Sequence, residues 1–176
     1  MADQPVPRTD VLVALPDELP PHDQRDLMER PFFALGKTPR TVPIDYRSGA
    51  VQVRVEPHPE HGMATIWDAD VLIYLASQLV HARDQGQTPS RVLRCTPYQL
   101  LSVTGRATGS QDYRRLRAAL DRLQSTSVVT NIRAISAGRR HRFSWIAEWT
   151  ELRDRDGRTQ GIEIAVPDWL LSGLLD

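Results

Sequence analysis

The sequence is poor in cysteine and lysine and has no long apolar run. Its single cysteine, Cys95, excludes a framework of internal disulfides and is typical of a reducing compartment. No apolar segment approaches the roughly 18 residues that a membrane-spanning helix needs, and the amino terminus lacks the basic-then-apolar order of a signal peptide. We therefore expect a cytoplasmic protein without a membrane partner. Lys37 is the only lysine among 22 basic residues.

The net charge of zero conceals a segregated distribution. Residues 104–142 contain nine arginines against two aspartates, a net charge of +7. Residues 1–30 and residues 143–176 each contain seven acids against three arginines, a net charge of −4. A basic block between acidic flanks indicates an anionic partner. The alternative is that these arginines only solvate a helix face.

The amino-terminal part reads as an arm followed by the start of a domain. Residues 1–30 are acidic and contain five prolines, which favours an arm, and residues 23–29 could form a short helix there. The apolar residues 32–35 follow, and Phe32 and Phe33 are either buried in the domain or part of a dimer contact. Residues 41–46 and 50–57 are predicted to form a hairpin, because apolar and polar residues alternate in the second segment.

The middle of the chain predicts three helices. A largely apolar helix over residues 68–83 would begin at Asp68 as its N-cap. After a strand over residues 91–95, a short helix begins at Pro97 with Thr96 as its cap. The third helix, residues 110–124, would be capped by Ser110. Its apolar stripe has helical spacing and consists of Tyr113, Leu116, Leu120 and Leu123.

Two strands with a polar tip are expected after the third helix. Residues 127–135 are rich in β-branched side chains, and residues 141–149 alternate in polarity. Three helices followed by a hairpin with a basic tip predict an α+β winged helix-turn-helix fold over residues 31–176. In this interpretation the recognition helix is residues 110–124 and the wing is residues 127–149. Further on, a strand at 161–166 and a short helix at 168–175 are predicted.

This fold predicts double-stranded DNA as the partner. Gln111, Arg114 and Arg115 would project early from the recognition helix toward base edges in the major groove. Arg122, two turns on, would meet the DNA backbone, whereas Arg117 could contact DNA or pair with Asp121. The other predicted contacts are with phosphates or the minor groove. The full set of predicted DNA-binding residues is Arg106, Thr108, Ser110, Gln111, Arg114, Arg115, Arg122, Arg139, Arg140 and Arg142.

Several segments together resemble the plasmid replication initiator protein A family. The most specific is GMATIWDADVLIY at residues 62–74. Weaker segments lie in the same order as in the family. They are MERPFF (28–33), PIDY (43–46), PYQLL (97–101), LDRL (120–123), TNIR (130–133) and FSW (143–145).

The resemblance implies an initiator that binds repeated origin sequences (iterons), helps to open the duplex and assists host helicase-loading proteins. It also implies copy-number control through a switch between homodimers and DNA-bound monomers. Initiators of this kind carry two winged-helix domains and this chain has one, so we expect an amino-terminal fragment. The residues predicted to contribute to dimerisation are Phe32, Phe33, Leu171 and Leu174.

Two other functions use the same fold. The chain could be chiefly a dimerisation or docking module with little DNA binding, or a winged-helix transcription repressor. An enzyme is not expected, because the sequence has no Walker-type phosphate loop and no recognisable nucleophile motif. No cofactor or metal site is expected either. Proline interrupts the loop that carries His58 and His61, and the five histidines lack metal-ligand spacing.

Overall fold

The structure, a computed structural model, describes residues 11–13, 32–35, 39–88, 90–131 and 140–175. Within these residues the chain forms eight strands and four helices, and the mixed α+β class is confirmed. The strands are β1 (Val11–Val13), β2 (Ile44–Ser48), β3 (Val51–Glu56), β4 (Val92–Cys95), β5 (Ser127–Thr130), β6 (His141–Ser144), β7 (Glu148–Arg153) and β8 (Thr159–Ala165). The helices are α1 (Ala69–Asp84), α2 (Pro97–Val103), α3 (Ser110–Ser125) and α4 (Asp168–Leu175).

The strands form two four-stranded sheets. The first has the order β1-β4-β8-β7, with β1 parallel to β4 and the other pairs antiparallel. The second has the order β2-β3-β5-β6 and is antiparallel throughout. Its hairpin of β2 and β3 agrees with the predicted one, and Gly49 supplies the turn with a φ of 59° that glycine adopts without steric cost.

The helices begin largely where the sequence predicts. The helix α1 is buried along most of its length. The predicted cap of α2 is confirmed, because the Thr96 hydroxyl accepts from the Gln99 amide and the Gln99 side chain accepts from the Thr96 amide. One predicted cap is wrong, because Gly109 and not Ser110 precedes α3. Asp68 is the N-cap of α1 as predicted, although its carboxylate makes no hydrogen bond to the first turn of the helix.

An aromatic cluster closes the core between the sheets and α4. Phe32 and Phe33 are only 1% and 6% exposed. The ring of Phe33 stacks on Trp145 at a centroid distance of 4.6 Å, and Phe32 meets the same indole edge-on at 5.7 Å. This burial corrects the prediction that these two phenylalanines form a dimer contact, since they are already covered within one chain. Leu171 also packs partly against the core.

The predicted wing at residues 127–149 is wrong as a single hairpin. β5 and β6 pair with each other, but they belong to the second sheet and end at Ser144. The chain then crosses to the first sheet, where Trp149 on β7 pairs with Ile164 on β8. The physical reason lies at Trp145 and Ile146, which are both fully buried. Two adjacent buried side chains break the alternation between core and solvent that β6 follows, and the pairing of β6 with β5 ends before them.

Candidate nucleic-acid interface

The helix α3 has a buried face and an exposed one. Its apolar stripe packs into the core through Leu116, Leu120 and Leu123, and Tyr113 packs partly against it. The predicted stripe is therefore confirmed. The first two turns present Ser110, Gln111, Arg114 and Arg115 to solvent, and Thr108 is exposed just before them. This exposed face has donors and acceptors suited to base edges and phosphates.

The loop before α3 is fixed to the beginning of α1. The Arg106 guanidinium donates to the Trp67 carbonyl and lies 4.0 Å from the Asp70 carboxylate. Burial is the main cause that raises the pKa of Asp70. The Gly109 amide donates to the Asp112 carboxylate at 3.2 Å, which orders the entry into the helix. Arg106 is thus held by the protein, in addition to its predicted role at DNA.

The side chain of Arg122 points inward, contrary to the prediction that it meets the DNA backbone. Its Nε donates to Oδ2 of Asp68 at 2.7 Å and its Nη2 donates to Oδ1 at 2.9 Å. Asp68 is 1% exposed and Arg122 is 19% exposed. The hydrogen bonds to Asp68 raise the pKa of Arg122. A buried, bidentate pair of this kind orients a helix and leaves no free charge for a phosphate.

Arg117 also turns toward the protein, but not to the predicted Asp121. Its Nη2 donates to Oε1 of Glu151 at 2.8 Å, which connects α3 to β7. Glu151 accepts further hydrogen bonds from Arg153 and Thr159. Hydrogen bonds to a carboxylate stabilise its charged form, and the bond from Arg117 has the largest effect here. The pKa of Glu151 therefore falls to about 2. Asp121 instead accepts from the Trp149 indole at 3.2 Å.

Two predicted wing arginines lie on the outer face of the second sheet. Arg142 donates to Glu56 at 2.6 Å, and this bond is the main cause that lowers the pKa of Glu56. Arg140 is exposed at the rim of a depression of about 440 Å³, together with Arg47 and Asn131. These two arginines therefore belong to the side of the second sheet, whereas β7 and β8 belong to the first. Arg139 and the side chain of Leu174 lie outside the described residues.

Arg114 and Arg115 remain as the exposed cations of the α3 face. Arg115 is 68% exposed and lies 3.9 Å from Asp112, a loose pairing one turn away. Arg114 makes no ion pair with any of the residues that the structure describes. Of the predicted DNA-binding residues, Arg114, Arg115, Gln111, Ser110 and Thr108 are brought together and exposed. The structure does not bring Arg122, Arg140 or Arg142 to that face.

The sequence interpretation missed one residue beside this face, Trp67. The residue is 47% exposed at the edge of a groove of about 610 Å³ that Arg106, Arg115 and Ala118 also line. A large exposed aromatic ring next to arginines is a common feature of nucleic-acid sites. The only signal in the sequence was its place directly before Asp68 within the family-like segment 62–74.

Across the described part of the chain, no three metal-ligating side chains come together. The Nδ1 of His58 accepts from the backbone amides of Glu60 and His61. None of the helices in the described ranges combines the length and the apolar character needed to cross a membrane.

Comparison with known proteins gives a consistent picture. A family model described as "Replication initiator protein A" matches residues 22–176. A protein of Wigglesworthia glossinidia brevipalpis, described as "Putative replication protein", is 32% identical over 152 residues, which are 84% of this chain and 54% of that protein. Two crystal structures of domains 2 and 3 of RctB have TM-scores of 0.57 and 0.58 at 14% and 16% identity. Each match covers 81% of this chain and 56% of the RctB chain. The chain thus spans about half the length of the proteins that it matches.

Proposed function

The chain belongs to the replication initiator protein A family, and we propose that it is a sequence-specific DNA-binding domain of a plasmid replication initiator. Its target would be the repeated sequences, or iterons, of a replication origin. The observation that carries this proposal is the exposed face of α3. Arg114, Arg115 and Gln111 project from its first two turns while its opposite face is anchored in the core.

We infer a winged helix-turn-helix for the DNA-binding unit, with its wing at a new position. The order α1, β4, α2, α3, β7, β8 and the sheet order β4-β8-β7 support this assignment. The wing is then the β7–β8 hairpin, whose turn spans residues 154–158. Its Arg155 and Arg158 are exposed, and Gly157 has a φ of 78°. These arginines take the phosphate-binding role that the sequence assigned to Arg139 and Arg140.

In this proposal α3 enters the major groove with its amino-terminal turns first. Arg114 is the side chain best placed for a bidentate contact with a guanine edge, because the structure shows no ion pair for it within the described residues. Thr108, Ser110 and the free amides at the start of the helix would bind adjacent phosphates. Arg122 and Arg117 position the helix through Asp68 and Glu151.

Homodimerisation, contacts with host helicase-loading proteins and a cytoplasmic location belong to the proposal for the whole initiator. They follow from the family and not from a contact in this structure. The copy-number switch between dimers and DNA-bound monomers is also proposed from the family alone.

A titration of the protein against labelled duplexes tests the proposal. One duplex carries the repeats of the replicon that encodes the protein, and the other carries the same bases in scrambled order. We expect tighter binding to the repeats, and a steep loss of affinity for both duplexes between about 50 and 200 mM salt, because arginine–phosphate contacts release counterions. Equal affinities would remove sequence specificity. Absence of duplex binding would leave a docking module as the better description.

A further inference from the structure

The groove beside α3 is concave, and Arg115 is the one lining residue that it shares with the proposed duplex-binding face. It holds about 610 Å³ between the segment 65–68, the loop at Arg106 and the side of α3. Ala107 and Ala118 are small residues among those that line it. Trp67 is 47% exposed there. An aromatic surface that borders a groove in this way is typical of a binding site.

The charges around the groove favour an anion next to this ring. Three arginines and two aspartates line it. Asp68 is already neutralised by the bidentate pair with Arg122, and Asp112 accepts the amide of Gly109. Arg115, 68% exposed, is therefore the cation most accessible to a ligand, and Arg106 lies on the same groove. An aromatic face with arginines at its side can hold a flat ring and a phosphate together.

We propose that this groove binds an unpaired nucleotide of single-stranded DNA, with its base stacked on Trp67 and its phosphate next to Arg115 and Arg106. The inference rests on the proposed function in taking DNA as the partner, but it adds a second form of DNA and a second site. In an intact duplex each base is covered on both faces by its neighbours, so Trp67 can stack only where strands are separated. Stacking on an aromatic ring tolerates any base, so this site needs no sequence preference.

The stacking residue can be tested without removing the duplex-binding face. The variants are Trp67→Ala and Trp67→Phe. Tyr98→Ala is the matched control, because Tyr98 is 60% exposed and does not line the groove. The probes are a labelled oligothymidylate of about 12 nucleotides and the labelled repeat duplex, both followed by fluorescence anisotropy at one salt concentration. Thermal unfolding of each variant establishes that it is folded.

We expect Trp67→Ala to weaken oligothymidylate binding roughly 5- to 100-fold, the effect of losing one stacked base, while duplex affinity changes less than about twofold. Trp67→Phe should retain most of the affinity, and Tyr98→Ala should leave both affinities unchanged. Equal losses on both probes, or no loss on the single strand, would overturn the inference.

The outcome separates this inference from the proposed function. If the wild-type protein binds the duplex but not oligothymidylate, the groove is not a single-strand site and the proposed function stands. If the protein binds oligothymidylate through Trp67 but does not bind the duplex, the groove is a single-strand site and the proposed duplex recognition fails. If Trp67→Ala unfolds, the comparison uses Trp67→Phe and the quenching of tryptophan fluorescence by oligothymidylate instead. Absence of quenching by oligothymidylate would then also overturn the inference.

Discussion

Arg122 on α3 and Asp68 at the start of α1 form a bidentate ion pair, with Nε–Oδ2 and Nη2–Oδ1 distances of 2.7 and 2.9 Å. Asp68 also accepts from the Thr65 amide at 2.9 Å, so the same carboxylate holds the turn before α1. The pair fixes the rotation of α3 about its axis. That rotation decides which residues of the helix face the solvent.

Replacement of Arg122 by alanine should destabilise the fold. The variant would leave the Asp68 carboxylate buried and unpaired, which costs about 3–5 kcal/mol in comparable cases. Urea unfolding followed by circular dichroism measures the change in the free energy of unfolding. The control is Arg114→Ala, an exposed change on the same helix that should stay within about 0.5 kcal/mol. Similar values for the two variants would mean that the pair contributes little to stability.

Replacement of Arg114 should affect DNA binding and leave stability intact. Removal of one bidentate interaction with a base costs about 1–3 kcal/mol of binding free energy and relaxes the preference at one base pair. The measurement is the ratio of affinities for the repeat duplex and for its single-base variants. Gln124→Ala, an exposed change at the other end of α3, is the control. An equal loss on all duplexes would identify Arg114 as a phosphate-binding residue.

The charge of the segment 104–142 shows what a sequence alone can and cannot predict. The excess of arginine was correct as a count, but folding brings acids from distant parts of the chain to several of them. Glu56 pairs with Arg142, Asp68 with Arg122, and Glu151 with Arg117. These partners are 34 to 86 residues away along the chain. No local pattern shows such pairings, so the sequence overestimated the charge available to DNA.

The elements that depend on local patterns were predictable. The helical period fixed the buried face of α3, and the Thr96–Pro97 signal fixed the start of α2. The single hairpin predicted over residues 127–149 was wrong, because a local pattern does not show which sheet a strand joins. Residues 141–149 alternate well enough to suggest one strand, and only the burial of Trp145 and Ile146 divides them between two sheets.

Stability should fall in acid through Glu151. The pKa of this carboxyl is about 2 in the folded chain, below its ordinary value of 4.5. A depressed pKa contributes stability that is present above pH 4.5 and is lost as pH falls toward 2, on the order of 3 kcal/mol. We expect Glu151→Gln to be less stable than the wild type at neutral pH, with a flatter profile between about pH 4.5 and 2.

The measurement is urea unfolding of both proteins at several pH values in that window. Other carboxylates also titrate there, so the informative quantity is the difference between the two profiles. Glu148→Gln, an exposed change on the same strand, serves as the control. Parallel profiles for wild type and Glu151→Gln would show that the hydrogen bonds from Arg117 and Thr159 do not stabilise the charged form.

The position of the wing can be decided by two pairs of substitutions. Arg155→Ala with Arg158→Ala removes both exposed arginines from the β7–β8 turn, whereas Arg139→Ala with Arg140→Ala alters the segment between β5 and β6. If the β7–β8 turn is the wing, the first pair should weaken binding to every duplex alike. It should also reduce the slope of log K against log salt by about 0.9 for each phosphate that the variant no longer neutralises.

The second pair should leave the slope unchanged, because Arg140 lies on the sheet that does not contain β7 or β8. The reverse result would return the wing to residues 127–149. Equal losses from both pairs would mean that DNA binds across the two sheets together.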